Sequence, residues 1–488
     1  MPGGKRLDLS LNLALFVGSL LLRTLLLFPS GFDGLYGQDA YAYYDFAHDL
    51  LTEGNVSEPF FWPLGYPLLL AAALALFGAQ PATGQMLNVV LGALLSPAVY
   101  VLSRQLRMER AGALTAGILM AVCGQALQSS LVLMADIPAL AWAMLSAIAL
   151  WVYLRNGERR WLMSAALLLA LASITRWLYL SLAIPWGLAL LLARPVRWRD
   201  VLLAVFPAAI ILALQVLYSR QSPYPTFNHA WVQGWSIANA FRREFVNVDG
   251  HFRYEVENWR FYAMPFYDAY YLAPVFTPFL FLGALALIRR ENRAPLGMLA
   301  GWALLPYVFL AGIPYQNVRF PLIVFPAAAI VVGAGLDAAL RWIQYRPYLF
   351  RWGLAVAALV VLLGARHTLV TAEAIVGTFI TNQQRDKETA QWATGQVPAG
   401  ATLYTFGLTL TLQHYTSLDV YEIYYETPDT LAARWQPGQD DYLLLNVWNI
   451  ENQWAGREPQ IAFHWLRDRR GLVELGRYGN YTLYRVEG

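Results

Sequence analysis

A segment near the N-terminus concentrates acidic side chains without a Lys or Arg to neutralise them. It reads GFDGLYGQDAYAYYDFAHDLLTEGNVSEPFFWPLGYP and contains six acidic residues. Asp39 differs from the other five because it follows a glycine-containing turn and opens a helix-like run, where the helix dipole favours a carboxylate. A carboxylate in this position can withdraw a proton as a general base. The remaining acids are ordinary for a loop from which basic residues are excluded.

A second acid and three arginines lie beside or within apolar runs, where a charge is costly and often marks a functional site. Asp136 opens the run DIPALAWAMLSAIAL, in which an acid before Pro138 is also typical of a helix cap. Arg319 lies among prolines in IPYQNVRFPLIVFP, a setting suited to an anion, and its forked guanidinium can bind phosphate through two hydrogen bonds. Arg176 is a second phosphate candidate. Arg23 is expected only to extend its charge to the membrane interface.

Aromatic residues crowd the stretch from residue 219 to 271. They include Trp235 and Tyr267, which we predict to contact a substrate. We predict the same for Tyr43 and Tyr44 in the acidic segment. Amphipathic rings suit a sugar ring or a lipid head group, although belts of aromatics at a membrane surface explain many of them. The chain has no His or Cys pair with metal-ligand spacing. We therefore predict no cofactor and no metal ligands, and leave a divalent metal as an open alternative.

The elements that position these residues are mainly apolar helices. Hydrophobic residues make up 58% of the 488 residues and charged residues 14%, against about 45–50% and 25% in soluble proteins, which excludes a soluble enzyme. One cysteine excludes a disulfide scaffold, and scattered basic residues give no sign of nucleic-acid binding. A span needs about 20 apolar residues. Eleven candidates lie near 9–28, 85–103, 111–131, 137–154, 161–175, 177–193, 201–218, 272–288, 295–311, 320–340 and 352–372.

The basic residues predict the orientation of these spans. If the apolar segment 63–78 lies along the surface as a juxtamembrane helix, 17 basic residues fall on the side of Lys5 and Arg6, as the positive-inside rule requires. The arginines that join these two residues are Arg104, Arg107, Arg110, Arg155, Arg159, Arg160, Arg194, Arg197, Arg199, Arg289, Arg290, Arg293, Arg341, Arg346 and Arg351. The N-terminus is then cytoplasmic, and Asp39, Asp136 and Arg319 emerge on the outer side of the membrane.

The chain changes character near residue 381. Residues 1–380 carry 26 basic and 19 acidic residues, whereas residues 381–488 carry 9 and 13. Short strand-like and helix-like runs alternate in this last part, from ATLYTF to LVELGRYGNYTLYRV, which predicts a small α/β domain. We therefore predict a transmembrane domain over 1–380 and an extracytoplasmic domain over 381–488, in a multi-pass protein of the cell membrane.

Several motifs together resemble the GT-C superfamily of membrane glycosyltransferases. They are GQDAYAYYDFAHDLL, PLGYPLLLAAALALFG, ADIPALAW, SITRWLYL and NVRFPLIVFP, and they cover roughly residues 9 to 340. The most similar branch contains protein mannosyltransferases and the aminoarabinose transferase of lipid A. The resemblance implies a GT-C fold and transfer of a sugar from a polyprenyl-phosphate donor on the outer face. It places the catalytic aspartate at Asp39, the second acid at Asp136 and the arginine of the late span at Arg319.

The resulting hypothesis is an inverting glycosyltransferase with Asp39 as general base, Asp136 orienting hydroxyl groups, and Arg319 with Arg176 on the donor phosphate. The expected partners are the polyprenyl-phosphate sugar, membrane lipids and a lipid, glycan or protein acceptor, with no nucleic acid. A transporter or flippase for lipid-linked sugars is the alternative, although an odd number of spans and the lack of repeats argue against it. A scaffold without chemistry is a third hypothesis.

Overall fold

The structure, a computed structural model, describes residues 2–54, 60–193, 197–221, 230–289, 293–344, 347–424, 426–434 and 441–487. Its first helices are α1 (Pro2–Leu27), α2 (Asp39–Thr52), α3 (Gly65–Phe77), α4 (Pro81–Gln105), α5 (Arg110–Val122), α6 (Gly124–Ser130), α7 (Asp136–Asn156), α8 (Arg159–Thr175), α9 (Ala183–Ala193) and α10 (Trp198–Ser219). They are followed by α11 (Ala230–Gln233), α12 (Asn258–Tyr262), α13 (Thr277–Ile288), α14 (Ala294–Ala311), α15 (Phe325–Ile343), α16 (Pro347–Gln396), α17 (Thr409–Tyr415), α18 (Pro428–Arg434), α19 (Val447–Asn452) and α20 (Glu458–Arg470).

Helices lie at all of the predicted apolar segments. Within the described residues, seven helices are long and apolar enough to cross a membrane, or eight when α5 and α6, which meet at a 53° bend, form one span. Shorter apolar helices occupy 65–77, 177–193 and 274–288. The mainly helical, multi-pass architecture predicted from the sequence is therefore confirmed. Arg194, Arg290 and Arg346, which contributed to the predicted orientation, lie outside the described residues.

Several apolar helices are interrupted rather than continuous. Helix α5 ends at Val122 and α6 begins at Gly124, and short 3-10 helices at Trp177–Leu182, Pro274–Phe276 and Phe320–Val324 precede α9, α13 and α15. A break leaves backbone amide and carbonyl groups without their intrahelical partners, and lipid cannot hydrogen-bond them. Side-chain or backbone groups of neighbouring segments must therefore satisfy these groups.

The chain forms two compact units. The first, here called the helical unit, contains residues 1–34, 46–241 and 256–376, and the second, the terminal unit, contains residues 35–45, 242–255 and 377–488. The predicted boundary at residue 381 falls inside the continuous helix α16, which contributes residues to both units. The first eleven residues of the terminal unit include Asp39.

The terminal unit contains the predicted α/β domain. Its strands are β3 (Thr402–Thr405), β4 (Asp419–Glu422), β5 (Asp441–Leu445), β6 (Leu472–Tyr478) and β7 (Tyr481–Val486), and they form one sheet in the order β4-β3-β5-β7-β6. Strand β3 is parallel to β4 and β5, whereas β7 is antiparallel to β5 and β6. A separate hairpin pairs β1 (Glu244–Asn247) with β2 (Gly250–Arg253).

Alternation along the strands builds a core on each face of this sheet. Leu403 and Leu444 pack with Ala390 and Leu412, whereas Tyr404 and Leu443 belong to a second cluster with residues of α18 and α20. Neighbouring side chains of a strand point to opposite faces, so helices must cover both sides. The parallel part of the sheet is accordingly buried by helices, as parallel strands require.

In the helical unit, α5 and α15 pack at very short range. A Cβ on Gly112 would lie 2.3 Å from the carbonyl oxygen of Gly333 and 2.5 Å from Oδ1 of Asp337. Asp337 accepts hydrogen bonds from the backbone N–H groups of Glu109, at 2.7 Å, and Gly112, at 2.8 Å. Small residues let the helices approach, and the buried carboxylate then caps the start of α5.

The expectation for Arg23 is wrong. This residue of α1 is fully buried rather than extended to the membrane surface. Its Nε donates to Oγ of Ser130 at 2.9 Å, and its Nη1 donates to Oγ of Ser19 at 2.6 Å. Gly92 of α4 leaves the space, because a Cβ there would lie 2.8 Å from Arg23 Nε. These partners on two helices offset part of the cost of burying the guanidinium group, whose Nη2 makes no hydrogen bond within the described residues.

Asp337→Ala should lower the thermal midpoint of the purified protein in detergent. The substitution leaves two N–H groups at the start of α5 without an acceptor, at a cost of about 1–3 kcal/mol each. Asp468→Ala is the control, because that exposed carboxylate pairs only with its neighbour Arg467 among the described ion pairs. Equal midpoints for the two variants would contradict the capping role of Asp337.

Candidate functional site

Three of the residues singled out from the sequence meet in the helical unit. The carboxylate of Asp136 accepts a hydrogen bond from Nη1 of Arg176 through Oδ1, and its Oδ2 lies 4.0 Å from Nη1 of Arg319. The side chain of Asp136 is 4% exposed, and those of Arg176 and Arg319 are 21% and 16% exposed. The guanidinium group of Arg176 also lies over the ring of Phe320, 5.0 Å from its centroid. Two arginines therefore flank one buried carboxylate.

Asp136 is the first residue of α7. The sequence left open that its side chain only caps this helix, but the carboxylate bonds to Arg176 instead. Its Oδ1 bonds to Arg176, and its Oδ2 makes no hydrogen bond within the described part of the chain. An acid held in this way keeps one oxygen for another donor. Removing either member of a buried ion pair is strongly destabilising, since it leaves the other charge uncompensated.

The segment before Asp136 is held by two amide side chains of α4. Nε2 of Gln85 donates to the carbonyl oxygens of Phe32 and Leu131, at 2.9 and 2.8 Å. Nδ2 of Asn88 donates to the carbonyl oxygens of Val132 and Met134, at 2.6 and 3.0 Å. The N–H group of Leu133 donates in turn to the carbonyl oxygen of Gly34. These bonds fix the non-helical approach to Asp136 in an apolar environment.

Arg176 lies in extended backbone between α8 and the 3-10 helix at Trp177–Leu182. The start of α3 packs against the end of α8 at this point. A Cβ on Gly65 would lie 2.5 Å from Oγ1 of Thr175 and 2.7 Å from the carbonyl oxygen of Ile174. Only glycine allows this approach, which accounts for the glycine in the PLGYP sequence. The segment 63–78 therefore supports the position of Arg176.

Arg319 follows an irregular segment that begins at Gly312. Side chains from the preceding loop satisfy its carbonyl groups: Nδ2 of Asn258 donates to Ile313, and the Tyr262 hydroxyl donates to Tyr315. The Tyr271 hydroxyl donates to Val318 next to Arg319. Oδ1 of Asn317 accepts from the backbone N–H group and from Nε of Arg319, at 3.0 and 3.4 Å. Arg319 is thus directed by its own segment and by the loop.

Several aromatic residues of the stretch from residue 219 to 271, here called the aromatic loop, pack inside the protein and do not lie at its surface. Tyr262, Tyr270 and Tyr271 are buried, so they belong to the core rather than to a surface belt. Trp235 is half-exposed and lies on Gly312, and its Nε1 donates to the carbonyl oxygen of Phe309 at 2.9 Å. Tyr267 is also partly exposed, and its hydroxyl donates to the carbonyl oxygen of Arg260. Residues 222–229 of this loop lie outside the described residues.

Asp39, Tyr43 and Tyr44 belong to the terminal unit. Asp39 is the first residue of α2, is half-buried and follows Gly37, whose φ of 57° is in the left-handed region. Tyr43 and Tyr44 are buried. Burial raises the pKa of the Tyr44 phenol, and the neighbouring Asp45 carboxylate raises it further, so the phenol stays protonated near neutral pH.

Residues 35–45, here called the Asp39 segment, pack on the terminal α/β domain. The rings of Tyr41 and Tyr44 lie 5.6 and 5.7 Å from the ring of His414, and Tyr41 also meets Tyr415 edge-on. In a helix, residues three apart share a face, so Tyr41 and Tyr44 present one side of α2 to His414. Asp39 lies on the opposite side of that helix, given 100° per residue.

Sequence reasoning missed Gln85, Asn88, Asn258 and Gly65. The amides stand in or beside apolar runs, and polar residues at such positions are a signal of internal hydrogen bonding. Their partners lie more than 40 positions along the chain, so the sequence does not identify them. No group of three or more His, Cys, Asp or Glu side chains within the described ranges is arranged to hold a metal ion.

Asn88→Ala should loosen the segment before Asp136. It removes two donors to the carbonyl groups of Val132 and Met134, so the nearby bonds from Leu133 N–H and Met134 N–H open more often. Hydrogen exchange at residues 131–136 should accelerate by about tenfold or more, as loss of about 1.4 kcal/mol implies. Asn452→Ala is the control, because it removes an exposed amide contact within α19; it should leave exchange at residues 131–136 unchanged. Unchanged exchange in Asn88→Ala would exclude the supporting role.

Comparison with known proteins bears on the identity of this fold. Residues 74–221 match the family model described as dolichyl-phosphate-mannose-protein mannosyltransferase. That range contains Asp136 and Arg176. A comparison with curated protein sequences gives no significant match.

Solved structures match over almost the whole chain. ArnT from Cupriavidus metallidurans is 14% identical with a TM-score of 0.65, and the match covers 99% of this chain and 98% of ArnT. The same ArnT bound to undecaprenyl phosphate gives a TM-score of 0.62 at 13% identity, with the same coverage. The archaeal oligosaccharyltransferase AglB from Archaeoglobus fulgidus, in complex with an inhibitory peptide and a dolichol-phosphate, is 13% identical with a TM-score of 0.61, over 98% of this chain and 74% of AglB. The resemblance drawn from the sequence is confirmed at the level of the fold, which this chain shares with ArnT and AglB.

Proposed function

We propose that the protein is an inverting glycosyltransferase that moves a sugar from a polyprenyl-monophosphate carrier to an acceptor at the outer face of the cell membrane. The observation that carries the proposal is the buried cluster of Asp136, Arg176 and Arg319 in a chain with the GT-C fold. The family match over residues 74–221 and the relatives that bind undecaprenyl phosphate or dolichol-phosphate support the same reaction class.

Arg319 and Arg176 are the proposed ligands of the donor phosphate. Guanidinium groups offer several donors in a planar fork that matches phosphate oxygens. Both arginines stand at helix breaks, and both are mostly buried, so their attraction to a phosphate is less screened than at an exposed surface. Charge that develops on the leaving phosphate is stabilised by these fixed donors, which lowers the barrier to departure.

Asp39 is the proposed general base. It removes the proton of an acceptor hydroxyl as that oxygen attacks the anomeric carbon, and attack from the face opposite the phosphate inverts the configuration. Oδ2 of Asp136, which makes no hydrogen bond in the described part of the chain, can accept one from a sugar or acceptor hydroxyl. Tyr43, Tyr44, Trp235 and Tyr267 are proposed to contact substrate. The proposal needs no cofactor, and the acceptor can be a lipid, a glycan or a protein.

The orientation of the protein is part of the proposal. We propose a cytoplasmic N-terminus, with Asp39, Asp136, Arg319 and the terminal α/β domain on the outer side of the membrane. The distribution of basic residues along the sequence supports this orientation. A transporter for lipid-linked sugars is not favoured, because the family match and the fold support glycosyltransferases. Mass spectrometry of co-purifying lipids should identify the carrier and the sugar together, which supplies the donor for assay.

Purified protein in detergent should transfer the sugar from this donor, and Asp39→Asn should lower the rate about 10²–10⁴-fold, as loss of a general base implies. A transporter would need a sealed vesicle, so product formed in detergent separates the two functions. Asp49→Asn makes the same chemical change on a half-exposed side chain of α2 and should leave the rate near that of the wild type. Near-normal turnover by Asp39→Asn would rule out Asp39 as the base.

Arg319→Ala should raise the KM for the lipid donor about 10–100-fold, because a hydrogen bond to a charged group contributes about 1.5–3 kcal/mol. Arg319→Lys should recover only part of this affinity, since an ammonium group keeps the charge but loses the fork. Arg477→Ala, at an exposed arginine that pairs with Glu474, is the control. A donor KM equal to that of the wild type in Arg319→Ala would refute the phosphate role.

A further inference from the structure

The position of Asp136 raises a question that its pairing with two arginines does not answer. The carboxylate lies against the same guanidinium groups that are proposed to hold the donor phosphate, with Oδ1 bonded to Arg176 and Oδ2 4.0 Å from Arg319 Nη1. A negative charge in an anion site weakens binding of the anion. This repulsion acts on a phosphate ligand only if the arginines hold the donor, so its role rests on the proposed function.

The transfer reaction changes the charge of the phosphate. The acceptor oxygen forms a bond to the anomeric carbon, and the bond between that carbon and the phosphate oxygen breaks. The electron pair of the broken bond stays on the phosphate, and the acceptor proton goes to Asp39. A singly charged phosphodiester thus becomes a monoester with a charge of about −1.5 to −2 near pH 7. Product and donor differ at this group by up to one negative charge.

We propose that Asp136 makes the arginine cluster distinguish the singly charged donor from the more highly charged product, and so promotes release of the polyprenyl phosphate. Coulomb energy is proportional to the charge of the ligand, and the buried position of Asp136 keeps its field from being screened by water. Asp136 therefore repels the dianionic product about twice as strongly as the monoanionic donor. The arginines attract both ligands, and the fixed carboxylate limits how tightly the product is held.

The proportionality gives a signature that does not depend on the total charge of the site. Replacing Asp136 with a neutral residue makes the net charge of the site more positive by one unit, whichever ligand is bound. The affinity for a dianion should therefore rise by about the square of the factor for a monoanion. A carboxylate that only stabilised the fold would change the amount of folded protein or both affinities alike, and would leave their ratio unchanged.

Two short prenyl phosphates test this signature. Farnesyl phosphate is a monoester with two negative charges at pH 8, and its methyl ester is a diester with one. Binding of each to the detergent-solubilised full-length protein is measured by isothermal titration calorimetry. In Asp136→Asn we expect affinity to rise about tenfold for the methyl ester and about 100-fold for farnesyl phosphate. Asp136→Ser is a second neutral variant, for the case in which the first does not fold.

Two further variants serve as controls. Asp136→Glu keeps the negative charge, so the ratio of the two affinities should stay near that of the wild type. Asp49→Asn removes a half-exposed carboxylate from α2 and should change neither affinity. Equal factors for the two ligands in the neutral variants, or a loss of affinity for both, would overturn the role of Asp136, whereas binding of both ligands by the wild type would still support the phosphate site. Failure of the wild type to bind either ligand would refute the phosphate site, and with it the proposed function.

Discussion

Asp136, Arg176 and Arg319 stand at helix breaks, where the backbone exposes groups that an apolar environment cannot hydrogen-bond. Asp136 follows the irregular segment after α6, Arg176 separates α8 from a 3-10 helix, and Arg319 precedes another. At two of these breaks side chains satisfy the carbonyl groups, with amides before Asp136 and an amide and two tyrosine hydroxyls before Arg319. The positions of the charges therefore depend on polar residues that carry no charge themselves.

The positions of these charged residues also depend on close packing at glycines. Gly65 brings α3 against the end of α8 beside Arg176, and Gly312 admits the ring of Trp235 at the start of the segment that leads to Arg319. A Cβ on Gly65 would lie 2.5 Å from Thr175 Oγ1, and one on Gly312 would lie 2.2 Å from Trp235 Nε1, so neither approach could be as close with a larger residue. Because the distance between two charges sets their attraction, small residues in this fold act on electrostatics through packing.

The sequence predicted the helices well because length and apolar composition determine what can cross a membrane. It also singled out Asp136, Arg176 and Arg319, since a charge in an apolar run is costly unless it has partners. It did not identify those partners: Gln85 and Asn88 bind carbonyl groups more than 40 residues away, a relation that no local pattern contains. The same limit explains Arg23, whose burial depends on Ser130 of a different helix.

The terminal unit shows why the chain cannot be divided at one residue. Besides the α/β domain it includes the Asp39 segment, which packs through Tyr41 and Tyr44 on His414, and the hairpin of β1 and β2. The hairpin is bonded to the end of α19, with the His251 N–H group donating to the Gln453 carbonyl oxygen at 2.7 Å. A composition change near residue 381 does not reveal these two segments, because they are short and their partners are distant. The terminal domain is therefore more than an appended module, since it holds the segment that carries the proposed base.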